Sequence, residues 1–437
     1  MKFRLYFLFL AAVFASQIFS SYTNPPGKIQ RLLKNSAILN DHFTGFALYD
    51  PANKKMLAQQ FSDKYFTPAS NTKLYTFYTA LKLLKDSVPT LQYILKGDSL
   101  IFWAAADPTF LHPDFQQTVI TRLQNSGKKI YWSPGVYKGD FYGTGWSYDD
   151  YNEYYQPEIS ELPLYGNIIR SSVMNGKLVN SPVFTDSTFT LQTDSAINTG
   201  RFRLKRNILN NIFIEPAIEI GANYKQETPF KVSKELISKL LKQRLPNYGG
   251  MVDFPKPDQT KLMFNTPVDT VYKHMLLPSD NFIAEHLLLN CSVQNNLVMS
   301  TDSVISYMKK NYLSDLPDEI QWVDGSGLSR QDLFSPRDMV ALCEKIYEAA
   351  GSEERLFELL PKGGKTGTLK NYFNSEPEPF VFAKTGSLSN NHNLTGFIKT
   401  RKGKTLIFSF MNNNYVRPTS DIRKEMDRIL TLVHEKY

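Results

Sequence analysis

The sequence predicts an α/β chain with a mostly β segment set inside it, and three observations carry that prediction. Strand-like patterns stand near both ends of the chain. Helical periodicities lie beside them. Between about residues 89 and 262 the texture changes to short alternating runs rich in Tyr, Asn, Asp, Thr and Gly. The 437 residues are 42% hydrophobic and 13% aromatic, enough for sizeable cores in two or three domains. Charged residues at 21% exclude wholesale disorder.

The chain opens "MKFRLYFLFLAAVFASQIFSS". Lys2 and Arg4 precede an apolar run from Leu5 to Phe14, and small residues follow. That is the pattern of a secretory signal, expected over residues 1–21, and the run is too short to span a bilayer. There is no cysteine there for a lipid anchor, and no later run has the length of a membrane helix. The expectation is an exported, periplasmic protein with no transmembrane segment after signal cleavage.

Next, "FTGFALYDPANKKMLAQQ" reads as two strands around a turn at Asp50-Pro51-Ala52-Asn53. In "YFTPASNTKLYTFYTALKLLKD", Leu74, Phe77, Leu81 and Leu84 recur at helical spacing, with Ser70 at the N-terminal end. The β-rich stretch follows, with "STFTLQT" and "IFIEPAIEIG" as strands and "KVSKELISKLLKQRL" as one helix. Helical texture returns in "VDTVYKHMLLPSDNFIAEHLLLNCSV". "FSPRDMVALCEKIYEAA" has Ser335 as N-cap and Pro336 at the first helical position. The C-terminal part supplies the strands "AKTGSL", "LTGFIKT" and "TLIFSFMN", then a helix from near Ser420 with Ile422, Met426, Ile429 and Val433 on one stripe. The organisation expected is a discontinuous domain, 22–88 plus 263–437, interrupted by an inserted region, 89–262, of one or two subdomains.

The formal charge is +8, with the cations scattered except in "RFRLKR", Arg201 to Arg206. That run reads as a strand with one solvated face, or as a basic patch for an anionic polymer. No nucleic-acid module is present. Cys291 and Cys343 lie in helical patterns and read as buried free thiols. Six histidines stand singly and read as surface or packed rings. There is no Gly-x-Ser-x-Gly elbow, zinc helix or phosphate loop, and no metal or cofactor is expected.

What remains is a set of three short motifs. Ser-x-x-Lys occurs at Ser70/Lys73, Ser126/Lys129 and Ser306/Lys309. Ser-x-Asn occurs at Ser279/Asn281 and Ser389/Asn391. Lys-Thr-Gly starts at Lys365 and at Lys384. Physical demands separate the copies. A serine nucleophile belongs at a helix N-terminus, where backbone N–H groups favour developing negative charge. Its lysine base belongs one turn on. Ser70/Lys73 meets both demands, whereas "QNSGKKIYW" is a turn entering a strand and "SVISYMKKNY" is helix interior. Lys-Thr-Gly must lie on an edge strand. "FVFAKTGSLSNNHNLTGF" has strand character on both sides, and "PKGGKTGTLKNYF" reads as a Gly-rich loop, so Lys384 is chosen over Lys365. Ser389/Asn391 then stands too close to Lys384 to be an independent wall, which leaves Ser279/Asn281.

With these residues the chain resembles D-alanyl-D-alanine carboxypeptidases/endopeptidases of the penicillin-binding protein 4 type. "PASNTKLYT", "LPSDNFIAEHLL", "VDGSGLSR" and "FAKTGSLSNNHNLTGF" are similar to that family's blocks and stand in the same order. The long gap from Ser70 to Ser279 fits as well, because the family carries domains inserted there. "VDGSGLSR" itself reads as a structural turn, given Gly325 and Gly327.

The resemblance implies a penicillin-binding/serine β-lactamase-like transpeptidase domain, an antiparallel sheet with helices on both faces, with a largely β insert. It implies Ser70 as acylated nucleophile and Lys73 as its base. Ser279 would act in a proton relay and Asn281 on the substrate amide. Lys384 and Thr385, on a strand continuing through Gly386 to Ser387, would hold the substrate's terminal carboxylate. The Ser387 N–H would complete the oxyanion hole with that of Ser70. The implied partners are peptidoglycan peptides and β-lactams, and a homodimer is compatible with the sequence. Burial and the positive Lys384 would both lower the Lys73 pKa. The competing readings are a serine β-lactamase, which the large insert argues against, and a silent peptidoglycan-binding scaffold, which the intact motif set argues against.

Overall fold

The computed structural model describes residues 25–185, 188–197 and 200–437. The expected signal segment, 1–21, lies outside the described residues. The chain forms two compact units. The first holds the chain up to Asn71, Leu316–Gln321 and Leu333–Tyr437. The second holds Thr72–Asp315 and Trp322–Asp332.

The first unit is built on a five-stranded antiparallel sheet in the order Val381–Leu388, Asn391–Lys399, Thr405–Asn413, Phe43–Asp50, Lys55–Gln60. Strands from opposite ends of the sequence therefore pair at its centre. Phe46 stands opposite Phe410, their rings 5.0 Å apart and edge-on. Strand alternation sends successive side chains to opposite faces. Phe46, Leu48, Phe408 and Phe410 share a core with Ile422, Met426 and Ile429 of the helix Thr419–Lys436 and with Ile29 and Leu33 of Pro25–Asn35. Phe397 meets Tyr347 of the helix Pro336–Ala349 and Phe357 of Glu353–Leu359 on the other face. Helices thus cover both faces of an antiparallel sheet, as expected. The Ser335 hydroxyl caps Pro336–Ala349 by accepting the Asp338 N–H at 3.1 Å.

In the second unit, the strands Ser87–Lys96 and Lys261–Pro267 bound the β-rich stretch and pair with one another antiparallel. The chain therefore enters and leaves that stretch side by side, which is what an insertion requires. Both belong to a five-stranded mixed sheet, order Tyr248–Met251, Lys129–Trp132, Ser99–Ala104, Ser87–Lys96, Lys261–Pro267. Two three-stranded sheets accompany it, one centred on Ile212–Pro216 and one on Ile168–Met174. Phe102, Trp132, Phe213 and Phe230 pack with Leu236, Leu240 and Leu241 of the helix Lys234–Arg244. The insert is largely β, with an aromatic core.

The helices Lys73–Leu83, Val268–Leu276 and Thr301–Asn311 of this unit pack around Asn281–Gln294. From Asn281 to Val293 every residue of that last helix is buried. A helix buried all round has no solvent for its polar groups, so most of them take partners within the protein. Asn290 Nδ2 donates to the Pro89 and Ala105 carbonyls at 2.7 and 2.6 Å. His286 Nε2 accepts the Ser160 N–H at 3.2 Å, which leaves Nδ1 to donate to the Phe282 carbonyl at 2.9 Å. Cys291 and Cys343 are buried free thiols. Among the described residues no helix is long and apolar enough to cross a membrane.

Candidate active site

Ser70 lies in a single 3₁₀ turn, Ala69–Thr72, that runs into the helix Lys73–Leu83. Ala69 has φ +49°, a left-handed conformation that a non-glycine residue keeps only when its surroundings hold it. The surroundings are side-chain amides of the first unit. Asn393 Nδ2 donates to the Thr67 and Pro68 carbonyls, each at 2.9 Å. Asn413 Nδ2 donates to Thr67 O at 3.1 Å, and Asn71 Nδ2 to Thr395 Oγ1 at 2.7 Å. Each of these anchors sits on the strand Asn391–Lys399 or Thr405–Asn413, so the sheet itself sets where Ser70 stands.

The strand Val381–Leu388 is the first of that sheet and carries the second Lys-Thr-Gly. Pro361–Gly363 pairs with it as far as Ala383 and stops short of Lys384. Gly386 lies so near the Ser70 turn that a Cβ would fall 2.2 Å from Pro68 O and 2.9 Å from Asn71 N. Only glycine lets the strand pass there. Lys384 is fully buried, and its Nζ donates to Thr385 O at 2.7 Å. Ser387 is exposed, with Oγ 2.8 Å from His392 Nδ1. Ser70, Lys384, Thr385, Gly386 and Ser387 therefore belong to one unit, and Gly386 presses directly against the serine's turn. Lys365 is exposed in a loop ahead of the 3₁₀ turn Gly367–Leu369. Asn390, at φ +67°, belongs to the turn that joins two sheet strands.

Lys73, Ser279 and Asn281 belong to the second unit. Ser279 has φ +66° and precedes Asp280, whose carboxylate caps the helix Asn281–Gln294 by accepting the Ile283 N–H at 2.7 Å. Asn281 Oδ1 accepts from Lys73 Nζ at 2.5 Å, and its Nδ2 donates to Tyr155 O at 2.9 Å. Lys73 Nζ also donates to Ser326 O at 2.7 Å. Lys73 is completely buried, and burial lowers its pKa from the usual 10.5 to about 8. Asp324, Asp280 and Glu285 act in the opposite direction, and desolvation prevails over them.

Glu285 and Asp324 were not singled out from the sequence. Glu285 Oε1 accepts the Gly325 and Ser326 N–H groups at 3.0 and 2.8 Å. Burial and Asp324 push its carboxyl well above the usual range. Asp324 gathers the following turn: Oδ1 accepts Gly327 N–H at 2.7 Å, and Oδ2 accepts Ser329 N–H at 2.8 Å and Trp146 Nε1–H at 2.9 Å. The "VDGSGLSR" stretch is thus the turn its glycines suggested. It also supplies the Ser326 carbonyl to Lys73. The available signal was spacing: Glu285 stands four residues after Asn281, on the same helical face.

Residues 27–433 match the model of the D-Ala-D-Ala carboxypeptidase 3 (S13) family. The chain is 29% identical over 222 residues to D-alanyl-D-alanine carboxypeptidase DacB of Haemophilus influenzae, which is 48% of this chain and 45% of that protein. It is 27% identical over 198 residues to penicillin-sensitive carboxypeptidase A of Dictyostelium discoideum, 43% of this chain and 37% of that one. The matches thus span less than half the length of these curated relatives. The fold is similar to the crystal structure of penicillin binding protein 4 (dacB) of Haemophilus influenzae, with TM-score 0.73 and 19% identity over 93% of this chain and 99% of that one. A structure of that protein with a β-lactam gives TM-score 0.69, at 17% identity and the same coverage. The chain belongs to the S13 family.

Proposed function

We propose that this S13-family member is a serine D-Ala-D-Ala carboxypeptidase acting on peptidoglycan stem peptides, with DD-endopeptidase cleavage open to the same site. The observation that carries the reading is the buried Lys73, its pKa lowered to about 8, three residues after a serine held in a sheet-pinned turn. Lys73 Nζ donates to Asn281 Oδ1 and to Ser326 O. In its neutral form the amine offers a lone pair that takes a proton. In the proposed reaction that proton comes from Ser70 Oγ, and the oxygen attacks the carbonyl carbon of the penultimate D-Ala. The C–N bond breaks and the terminal D-Ala leaves with a proton. Water then hydrolyses the Ser70 ester. The covalent intermediate splits one difficult amide cleavage into two easier steps.

The remaining roles rest on the motif match. Ser279 relays a proton, Asn281 contacts the substrate amide, and Lys384 and Thr385 hold the terminal carboxylate. Ser387 N–H and Ser70 N–H form the oxyanion hole. The proposed catalytic domain is 22–88 with 263–437, interrupted by 89–262. Export by the signal segment 1–21 to the periplasm, where the substrate lies, belongs to the same reading. So does covalent binding of penicillins, which the β-lactam complex of the Haemophilus influenzae protein supports.

Intact mass after incubation with a penicillin tests this, for the wild type and Ser70→Ala. A stable adduct on the wild type alone is expected. No adduct with the antibiotic consumed would favour a β-lactamase, and no adduct with the antibiotic untouched would favour a silent scaffold.

A further inference from the structure

The basic run "RFRLKR" has no part in the proposed chemistry. It alternates in the structure. Phe202, Leu204 and Arg206 are buried, while Arg201, Arg203 and Lys205 are exposed. Those three cations line a cleft of about 1090 Å³ within the second unit, together with Arg170 and Lys225. The cleft also holds two carboxylates, each paired: Glu153 with Arg203, and Glu227 with Arg170 at 3.1 Å. Five cations against two carboxylates leave the cleft strongly positive.

Its walls are fixed. Asn152 bonds the Arg206 backbone at both ends, accepting its N–H at 2.8 Å and donating to its carbonyl at 3.1 Å. Gln226 does the same on the other side, accepting the Leu204 N–H at 3.1 Å and donating to its carbonyl at 2.6 Å. The basic run is therefore clamped from both flanks, and its outward charges are pre-placed for a ligand instead of being free to disperse. The cleft and Asn281 are linked through two consecutive residues. Tyr154 lines it, and the next residue, Tyr155, accepts the Asn281 amide.

We propose that this cleft binds the carboxylates of an acidic peptide chain that continues from the substrate end held at Asn281, so that the enzyme selects long anionic peptides over short neutral ones. The inference rests on the peptidase reading above. An extended peptide advances about 3.3 Å per residue, so the longer substrate is the one with the length to follow the cleft.

The test uses three peptides ending in D-Ala-D-Ala: one short and neutral, one longer with several free carboxylates, and the longer one with those carboxylates amidated. The wild-type chain is compared with Lys205→Gln/Lys225→Gln and with Lys205→Arg/Lys225→Arg, both lysines being exposed. For the glutamine pair, KM on the acidic peptide rises about tenfold with kcat within about twofold. Both other peptides and the rate of acylation by a penicillin stay unchanged, and the arginine pair restores KM. An unchanged KM on the acidic peptide, or an equal rise on the amidated one, overturns the proposal. Fluorescence anisotropy with the acidic peptide and with polyphosphate reads binding independently of turnover. A loss confined to polyphosphate overturns the proposal in favour of a phosphate polymer. A wild type that takes no penicillin and cleaves no peptide refutes the peptidase reading, while loss of acidic-peptide binding in the glutamine pair would still support a cationic cleft for anionic peptides.

Discussion

The two Lys-Thr-Gly triplets make a controlled comparison inside one unit. Lys384 is fully buried on a sheet-edge strand, and Lys365 is exposed in a loop. Gly386 lies against the Ser70 turn, so no larger residue fits there. Gly367 has φ +59°, a left-handed backbone that favours glycine. The difference teaches that a triplet acquires meaning from the hydrogen-bond ladder that holds it. The copies are also not independent. Thr385 Oγ1 donates at 2.8 Å to the hydroxyl of Thr368, the residue after the first copy's glycine. The loop that carries the exposed triplet thus buttresses the buried one.

Substitution of the two lysines gives the largest contrast. Lys384→Ala is expected to slow penicillin acylation about a hundred- to a thousandfold, the size of a lost transition-state contact, while Lys365→Ala leaves the rate unchanged. Equal rates for the two variants would break the comparison. The glycines come next. Gly386→Ala should cost about 3 kcal/mol of stability by overpacking against Pro68 O, whereas Gly367→Ala should cost about 1 kcal/mol for its left-handed backbone. Urea unfolding midpoints of the two variants measure the gap.

A pH profile sharpens the comparison further. With neutral Lys73 as the proposed base, acylation should rise with pH through about 8, by roughly tenfold between pH 7 and 9. The profile should keep its midpoint in Lys365→Ala. A rate that falls across that range would refute Lys73 as the base. The smallest effect belongs to the hydroxyl pair. Thr368→Val should slow acylation a few-fold, about 1 kcal/mol, and a double-mutant cycle with Thr385→Val should show the two changes to be non-additive. Strict additivity would make the buttress irrelevant.

Much of the fold was legible because local signals and global structure agree. The Ser335–Pro336 start, the C-terminal helical stripe and the three C-terminal strands stand where periodicity and turn residues put them. The change of texture near residue 89 likewise announces a β-rich stretch whose bounding strands then pair. The supports of Lys73 were harder to read. Glu285 looks like any surface carboxylate on a helix, and only burial of that helix on all sides makes its bonds to Gly325 and Ser326 matter. Asp324 looks like an ordinary turn residue, and nothing local says that the turn's carbonyl reaches Lys73.

By itself the sequence determined what short-range physics can encode: strand alternation, helix caps, the spacing of Ser70 and Lys73, and the flanks that separate Lys384 from Lys365. Only the tertiary structure decided the electrostatics. A lysine's pKa depends on the water it loses and on charges brought near from distant parts of the chain, and neither quantity is a property of its neighbours in sequence.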